Sequence, residues 1–276
     1  MSQIKEIINS KINYIRDNYD LNNKCGRSLF SIIQEIELKN GEKIDLFRIP
    51  FKEQNIAGFI GYKNERFVIF TNTNKNLGYE VFTLAHELYH ILENNNLIKE
   101  EIAVLEDTSL SIDSDEMADM FAAELLMPEM HLKKEVKKFL NNSSENKITP
   151  AFVVKLQQDY YVEYKAMTKR LKEIGLIDCE KEKELNDIAQ TDSLILLTKR
   201  LGYDNSLNEK SGVISLPSKY LLALEENRKL NKIDYDELHV IFSYCDKSPE
   251  YFGYYKEDLL SDEDISFMNK LTEELR

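Results

Sequence analysis

Cysteine is too scarce and too scattered to organise this chain. Cys25, Cys179 and Cys245 are odd in number, widely spaced and include no Cys-x-x-Cys pair. That excludes a disulfide framework and a zinc ribbon, and makes a reduced cytoplasm the expected home. Long apolar runs are also missing, since none approaches the roughly 20 residues that a membrane span needs. The first stretch, "MSQIKEIINSKINYIRDNYD", carries charges throughout and lacks the uninterrupted apolar segment of a secretory signal. Nor is there an excess of positive charge. The net charge is −13, and residues 91–130 set eleven carboxylates against Lys99 alone. The tail from Ile177 onward is acidic too. Such a surface repels phosphate backbones, which argues against the whole chain acting as a DNA-binding protein. No internal repeat or low-complexity segment is present.

What is there suits a globular chain of one or two domains: 276 residues, 42% hydrophobic and 31% charged. Ile4, Ile7, Ile8, Ile12 and Ile15 follow a helical period, so residues 2–18 are expected to be helical. The stretches "KIDLFRIPF", "IAGFIGY" and "RFVIFTN" read as short strands, the last two as arms of a hairpin. Helical patterns then cover about 80–93, the stretch "DSDEMADMFAAELLMP" up to Pro128, and 129–140. Thr149-Pro150 reads as a cap followed by a proline at the first helical position. Two short helices with a turn near 160–163 follow. Further helices are expected at 191–201, 217–230, 234–244 and 262–274, the last capped by Ser261. The class is α+β: a small sheet packed on a helical core, with a helical C-terminal extension.

Two of the four histidines lie in "TLAHELYHIL". Residues four apart share one helix face with Cβ atoms about 5–6 Å apart. His86 and His90 can therefore reach one Zn²⁺, while Glu87, turned off that line, can take a proton from a water held on the ion. Val81, Leu84, Ala85, Leu88 and Leu92 give the helix an apolar side. A catalytic zinc needs a third protein ligand and an open place. The sequence "DSDEMAD" offers Asp113, Asp115, Glu116 and Asp119. Asp115 and Asp119 share a face, so one can bind the metal while the other accepts the second N–H of a ligand histidine. Glu116 has a longer arm and stays a candidate.

The two segments "FTLAHELYHIL" and "DEMADMFAAELLMP" together resemble the ImmA/IrrE family of zinc-dependent metallopeptidases. Ala118, Phe121, Ala122, Leu125, Leu126 and Pro128 match the family's second helix. The resemblance covers roughly residues 40–178 and implies a zincin-like core holding one Zn²⁺ per chain. The ligands it implies are His86, His90 and Asp115, with Glu116 as the alternative third ligand, Glu87 as catalytic base and Asp119 behind a ligand histidine. The family's ligand glutamate falls on the shorter Asp115, and Tyr89 stands where a glycine is common. Residues 149–173 are similar to the helix-turn-helix-like segment of the family. The domains expected are thus a metallopeptidase domain at 1–178 and a helical extension at 179–276.

What the resemblance implies is a cytoplasmic regulatory endopeptidase whose protein substrate is a helix-turn-helix repressor, so that cleavage releases stress or mobile-element genes. The alternative is a DNA- or protein-binding regulator with little or no peptidase activity, acting through the basic excess of 149–173. His131 and Tyr89 are conceivable partners for a developing oxyanion. The strand "RFVIF" is a candidate open edge for an extended substrate.

Overall fold

The computed structural model describes residues 2–36, 41, 43–51, 53, 55–63, 66–93, 112–142, 147–190, 193–256, 266, 267 and 270. The expected helix at 262–274, its cap Ser261 and the stretch 94–111 lie outside the described residues, apart from 266, 267 and 270. The chain divides into two compact units. One comprises Met1–Ile49 and Glu53–Ser215, the other Pro50–Lys52 and Leu216–Arg276. Residues 179–215 thus belong to the first unit. The α+β class holds, with a three-stranded sheet and eleven α-helices among the described residues. None of those helices is long and apolar enough to cross a membrane.

In the first unit α1 (Ser2–Tyr19) buries Ile8, Ile12 and Ile15 along one stripe, the consequence of their helical spacing. A short helix follows, α2 (Leu29–Glu35), which the sequence does not announce. Its segment "LFSIIQE" is rich in β-branched and aromatic residues and spans only two turns, too few for a period to show. Burial of Leu29 and Ile33 settles it as helix.

The strands are β1 (Lys43–Ile49), β2 (Gly58–Lys63) and β3 (Arg66–Asn72), in the order β1-β3-β2. β2 and β3 form the expected antiparallel hairpin, while β1 runs parallel to β3. This order corrects the expectation of an open edge on "RFVIF". β3 carries Phe67, Val68 and Ile69 through the buried middle of the sheet and is paired on both sides. Continuous apolar character is what a central strand requires. The two edges are β1 and β2; β1 adds one isolated antiparallel bridge from Arg48 to Ser215, and among the described residues β2 is paired with β3 alone.

Behind the sheet come α3 (Leu77–Glu93), α4 (Ile112–Leu126) and α5 (Glu129–Asn142). α3 turns Val81, Leu84, Ala85, Leu88 and Ile91 inward, and α4 answers with Ala118, Phe121, Ala122 and Leu125. The buried alanines let the two helices approach closely. α3 is also pinned to the sheet by charge. Glu80, buried, accepts from Arg48 Nε at 2.7 Å, Arg48 Nη2 at 2.9 Å and Thr71 Oγ1 at 2.7 Å. A buried carboxylate satisfied by a forked guanidinium fixes position, and removing one partner strands the other.

α6 (Pro150–Tyr160) starts as the sequence expects, with Thr149 Oγ1 accepting from Phe152 N at 3.3 Å. α7 (Tyr164–Glu173) follows after a turn in which Tyr161 takes a left-handed conformation, φ 61°. That turn packs on the start of α3, where a Cβ on Gly78 would stand 2.4 Å from Glu163 N. Only glycine allows the contact. α8 (Cys179–Asp187) and α9 (Ser193–Arg200) complete the helices of this unit. The second unit contains α10 (Ser218–Lys229) and α11 (Tyr235–Ser243). A full capping box between Asp234 and Glu237 opens α11, and Phe242 stacks on Phe252 at 4.1 Å.

Candidate metal centre

α3 and α4 bring three side chains to one point. His86 Nε2 lies 3.1 Å from His90 Nε2, and His90 Nε2 lies 3.4 Å from Asp115 Oδ1. The three ligand atoms all fall within 4.8 Å of one another. Two donors at 2.0–2.1 Å on a tetrahedral ion sit about 3.3 Å apart, so both close separations match a shared ion. The donor chemistry fits as well. Asp119 Oδ1 stands 2.9 Å from His86 Nδ1. Accepting the proton there leaves the Nε2 lone pair of His86 turned toward His90. Two imidazole nitrogens at 3.1 Å need either a shared proton or a cation between them, and the carboxylate of Asp115 beside them favours the cation.

Among the described residues, Asp115 joins the two histidines in this cluster and Glu116 does not. Both are exposed, and Glu116 lines the neighbouring cleft. The side chain of Asp113 lies outside the described ones. Tyr89 packs edge-on against the ring of His90 at 5.8 Å, and neither it nor His131 lines the cleft. Tyr89 is fully buried, with its hydroxyl on Met117 Sδ at 3.6 Å, because the apolar side of α3 includes it. His131 Nδ1 meets the Tyr160 hydroxyl at 2.6 Å in a packed corner of α5 and α6. The oxyanion role considered for them is therefore withdrawn.

The electrostatics follow from burial. Glu87 is removed from water, which pushes its carboxyl up to about 7; the nearby His86 charge pulls it down and Asp115 raises it further. Burial draws His90 down to about 4, helped by the charge on His86 and opposed by Asp119. For His86 burial also favours the neutral ring. The hydrogen bond that His86 donates to Asp119 and the charges of Glu87, Asp119 and Asp115 outweigh it and raise the pKa above its ordinary value.

The centre opens onto a cleft of about 1290 Å³. Gly58, at the start of β2, forms part of its rim: a Cβ there would meet Thr83 Cγ2 at 2.6 Å and Phe70 O at 2.7 Å, with Glu87 Oε1 at 3.6 Å. Glycine thus lets the singly paired strand come up against the carboxyl of Glu87. Lys165, Ala166 and Lys169 of α7 also line the cleft. Nothing in the motifs marked these residues in advance, although the step of four from Asp115 through Asp119 to Ala123 and Met127 is visible in the sequence.

Residues 40–172 match the family model described as Peptidase_M78, IrrE N-terminal-like domain. The match contains α3, α4 and both histidines, and it assigns the segment a function of the metallopeptidase type. No curated protein matches the chain.

Proposed function

Residues 40–172 belong to the ImmA/IrrE peptidase family, and from that premise we propose that the chain is a zinc-dependent endopeptidase acting on a regulatory protein, a basic helix-turn-helix repressor. The observation that carries the proposal is the approach of His86, His90 and Asp115 to separations that suit one ion, with the buried Glu87 alongside. Two imidazoles and a carboxylate are the donor set of a catalytic zinc, one ion per chain. When bound, the ion supplies Lewis acidity and a water whose pKa falls to about 7.

The chain's own residues do the rest. Glu87 accepts the proton of the attacking water and hands it to the leaving amine. A base with a pKa near the working pH is efficient in both directions, and the buried carboxyl of Glu87 starts from about 7 before a cation draws it lower. Asp119 keeps the His86 ring in one tautomer and orientation. The outer edge of β2, brought to Glu87 by Gly58, offers backbone groups to an extended peptide and takes over the role considered for "RFVIF".

The charge of the cleft points to the substrate class. Nine carboxylates line it against four lysine or arginine side chains. A basic polypeptide complements such a surface, whereas the phosphates of DNA are repelled by it. α7, the helix a DNA-reading module would present, turns Lys165 and Lys169 into this cleft instead.

The test incubates zinc-loaded protein with a basic helix-turn-helix repressor encoded beside it and weighs the products. Two fragments summing to the intact repressor plus one water, absent with Glu87→Gln, are expected. An intact repressor, with a salt-dependent shift of operator DNA by this chain alone, would instead establish the DNA-binding regulator.

A further inference from the structure

Past the metal centre the cleft changes chemistry. On α4 the ridge that carries Asp115 and Asp119 continues in a step of four to Ala123, Met127 lies one residue past the helix with its N–H on Ala123 O at 2.8 Å, and Met120 lies on the next ridge. All three line the cleft, as do Met130 of α5, Ile8 of α1 and Ala166 of α7. Ala123 is 8% exposed and Met127 1%, so they form a floor, while Met130 at 78% stands open at the mouth. One helical turn, about 5.4 Å, separates Asp119 from Ala123. Along the ridge itself the carboxylates therefore give way within a turn to a trough of alanine and methionine, flanked in the same cleft by the paired charges Glu124–Arg170 and Lys5–Glu129. Glu124, the next acid on α4, is already occupied by Arg170 and by the N–H of Glu129.

Resting on the peptidase reading, we propose that this trough receives the substrate side chain beside the bond that is cut, and that it takes a large apolar residue such as Leu, Met or Phe. Ala123 sets its depth and Met120 one wall. The occupant follows from the lining. A polar side chain entering there loses water and meets no donor, and no acceptor stronger than a thioether, on the side chains of these six residues. An apolar one releases water from an exposed methionine, and thioether side chains adapt to several apolar shapes. The small Ala123, in the position one turn along from the acids, leaves the room that a longer residue would fill.

The chain has seven methionines, few enough for their methyl groups to be followed singly by NMR. Zinc-loaded Glu87→Gln protein is titrated with N-acetyl-Ala-Leu-Ala amide and, separately, with the seryl counterpart. The Met120, Met127 and Met130 methyls should shift with the leucyl peptide only, while the buried Met167 stays in place. Equal shifts with both peptides, or none with the leucyl one, overturn the proposal. Cleavage of a randomised peptide mixture gives the second reading. Ala123→Leu should lower kcat/KM for Leu- and Phe-flanked bonds at least about tenfold relative to Ala-flanked ones, the discrimination a methylene or two commands in an apolar pocket. Met120→Ala should shift preference toward Phe. Unchanged ratios in both variants contradict the pocket and leave the peptidase standing. If zinc-loaded wild type cuts nothing, the peptidase reading falls, and the methyl titration still decides whether the trough binds an apolar side chain.

Discussion

Asp119 Oδ1 lies 2.9 Å from His86 Nδ1, so one helix sets the ring of a histidine on another. That contact raises the pKa of His86 while burial holds His90 down at about 4. Two histidines four residues apart thus differ in what metal binding must displace. His86 has to lose a proton below a pKa above 6.5, and His90 is already neutral. Zinc affinity should fall about tenfold per pH unit on acidification below the His86 pKa, with a second proton entering only toward pH 4. Asp119→Asn should move the onset to lower pH and weaken zinc about 10–100-fold at pH 7.5. Competition with a chromophoric chelator from pH 8 to 5.5 measures both, and an unmoved onset contradicts the coupling.

Removing a ligand should cost more than removing its support. His90→Ala and Asp115→Ala should each reduce zinc affinity beyond the loss seen for Asp119→Asn, whereas Glu116→Ala should leave it near wild type. Metal analysis after dialysis against a buffered zinc concentration decides it. Retention by Asp115→Ala together with loss by Glu116→Ala would show that the wrong acid has been assigned.

Glu87→Gln should keep zinc and lose roughly 10²–10⁴ in turnover, the range of a positioned general base. The same variant makes a stability prediction for the metal-free protein. The folded pKa of Glu87, about 7, is above its ordinary 4.5. Its contribution is therefore favourable at low pH and is lost as pH rises from about 4.5 to 7. At pH 8 metal-free Glu87→Gln should be more stable than metal-free wild type by on the order of 3 kcal/mol. Urea unfolding of both proteins at pH 5 and pH 8 checks the sign, and equal midpoints at pH 8 speak against a desolvated carboxyl.

The elements were legible in the sequence in proportion to their length and period. α1, α3 and α6 announce themselves through isoleucine spacing, the His86–His90 repeat and the Thr149-Pro150 cap. α2 does not, because seven residues with two isoleucines and a phenylalanine carry no period, and only tertiary burial makes them a helix. Strand order is invisible for a related reason. "RFVIF" shows that a strand is apolar, but pairing with β1 across more than a dozen intervening residues is a long-range fact. The centre itself was legible where its residues share a helix. Steps of four pair His86 with His90 and Asp115 with Asp119 but leave open which acid faces the histidines, for which the family resemblance implies Asp115, whereas the approach of Gly58 to Glu87 joins a strand to a helix and no local pattern encodes it.

That approach is itself testable. Gly58→Ala puts a methyl 2.6 Å from Thr83 Cγ2 and 2.7 Å from a backbone oxygen that has little freedom to move. The variant should lose about 1–3 kcal/mol of stability, the usual cost of overpacking. Its kcat/KM should fall even under conditions where it stays folded. Thermal unfolding beside a peptide assay checks this, and full activity in a destabilised variant would detach the β2 edge from substrate binding.

An acidic cleft should make turnover of a basic peptide sensitive to salt. Raising ionic strength from about 0.05 to 0.5 M should raise KM for a lysine-rich substrate more than for a neutral one of equal length, with kcat little changed. Parallel salt responses for the two peptides would remove charge from substrate selection.

The central claim is that His86, His90 and Asp115 share one ion and leave a coordination place open. An X-ray absorption spectrum at the zinc edge of the loaded protein addresses it directly. The expected result is one zinc per chain with two imidazole nitrogens and a carboxylate oxygen from the protein, completed by solvent and changed by His90→Ala. A fourth permanent protein donor, or a spectrum indifferent to His90→Ala, would contradict it.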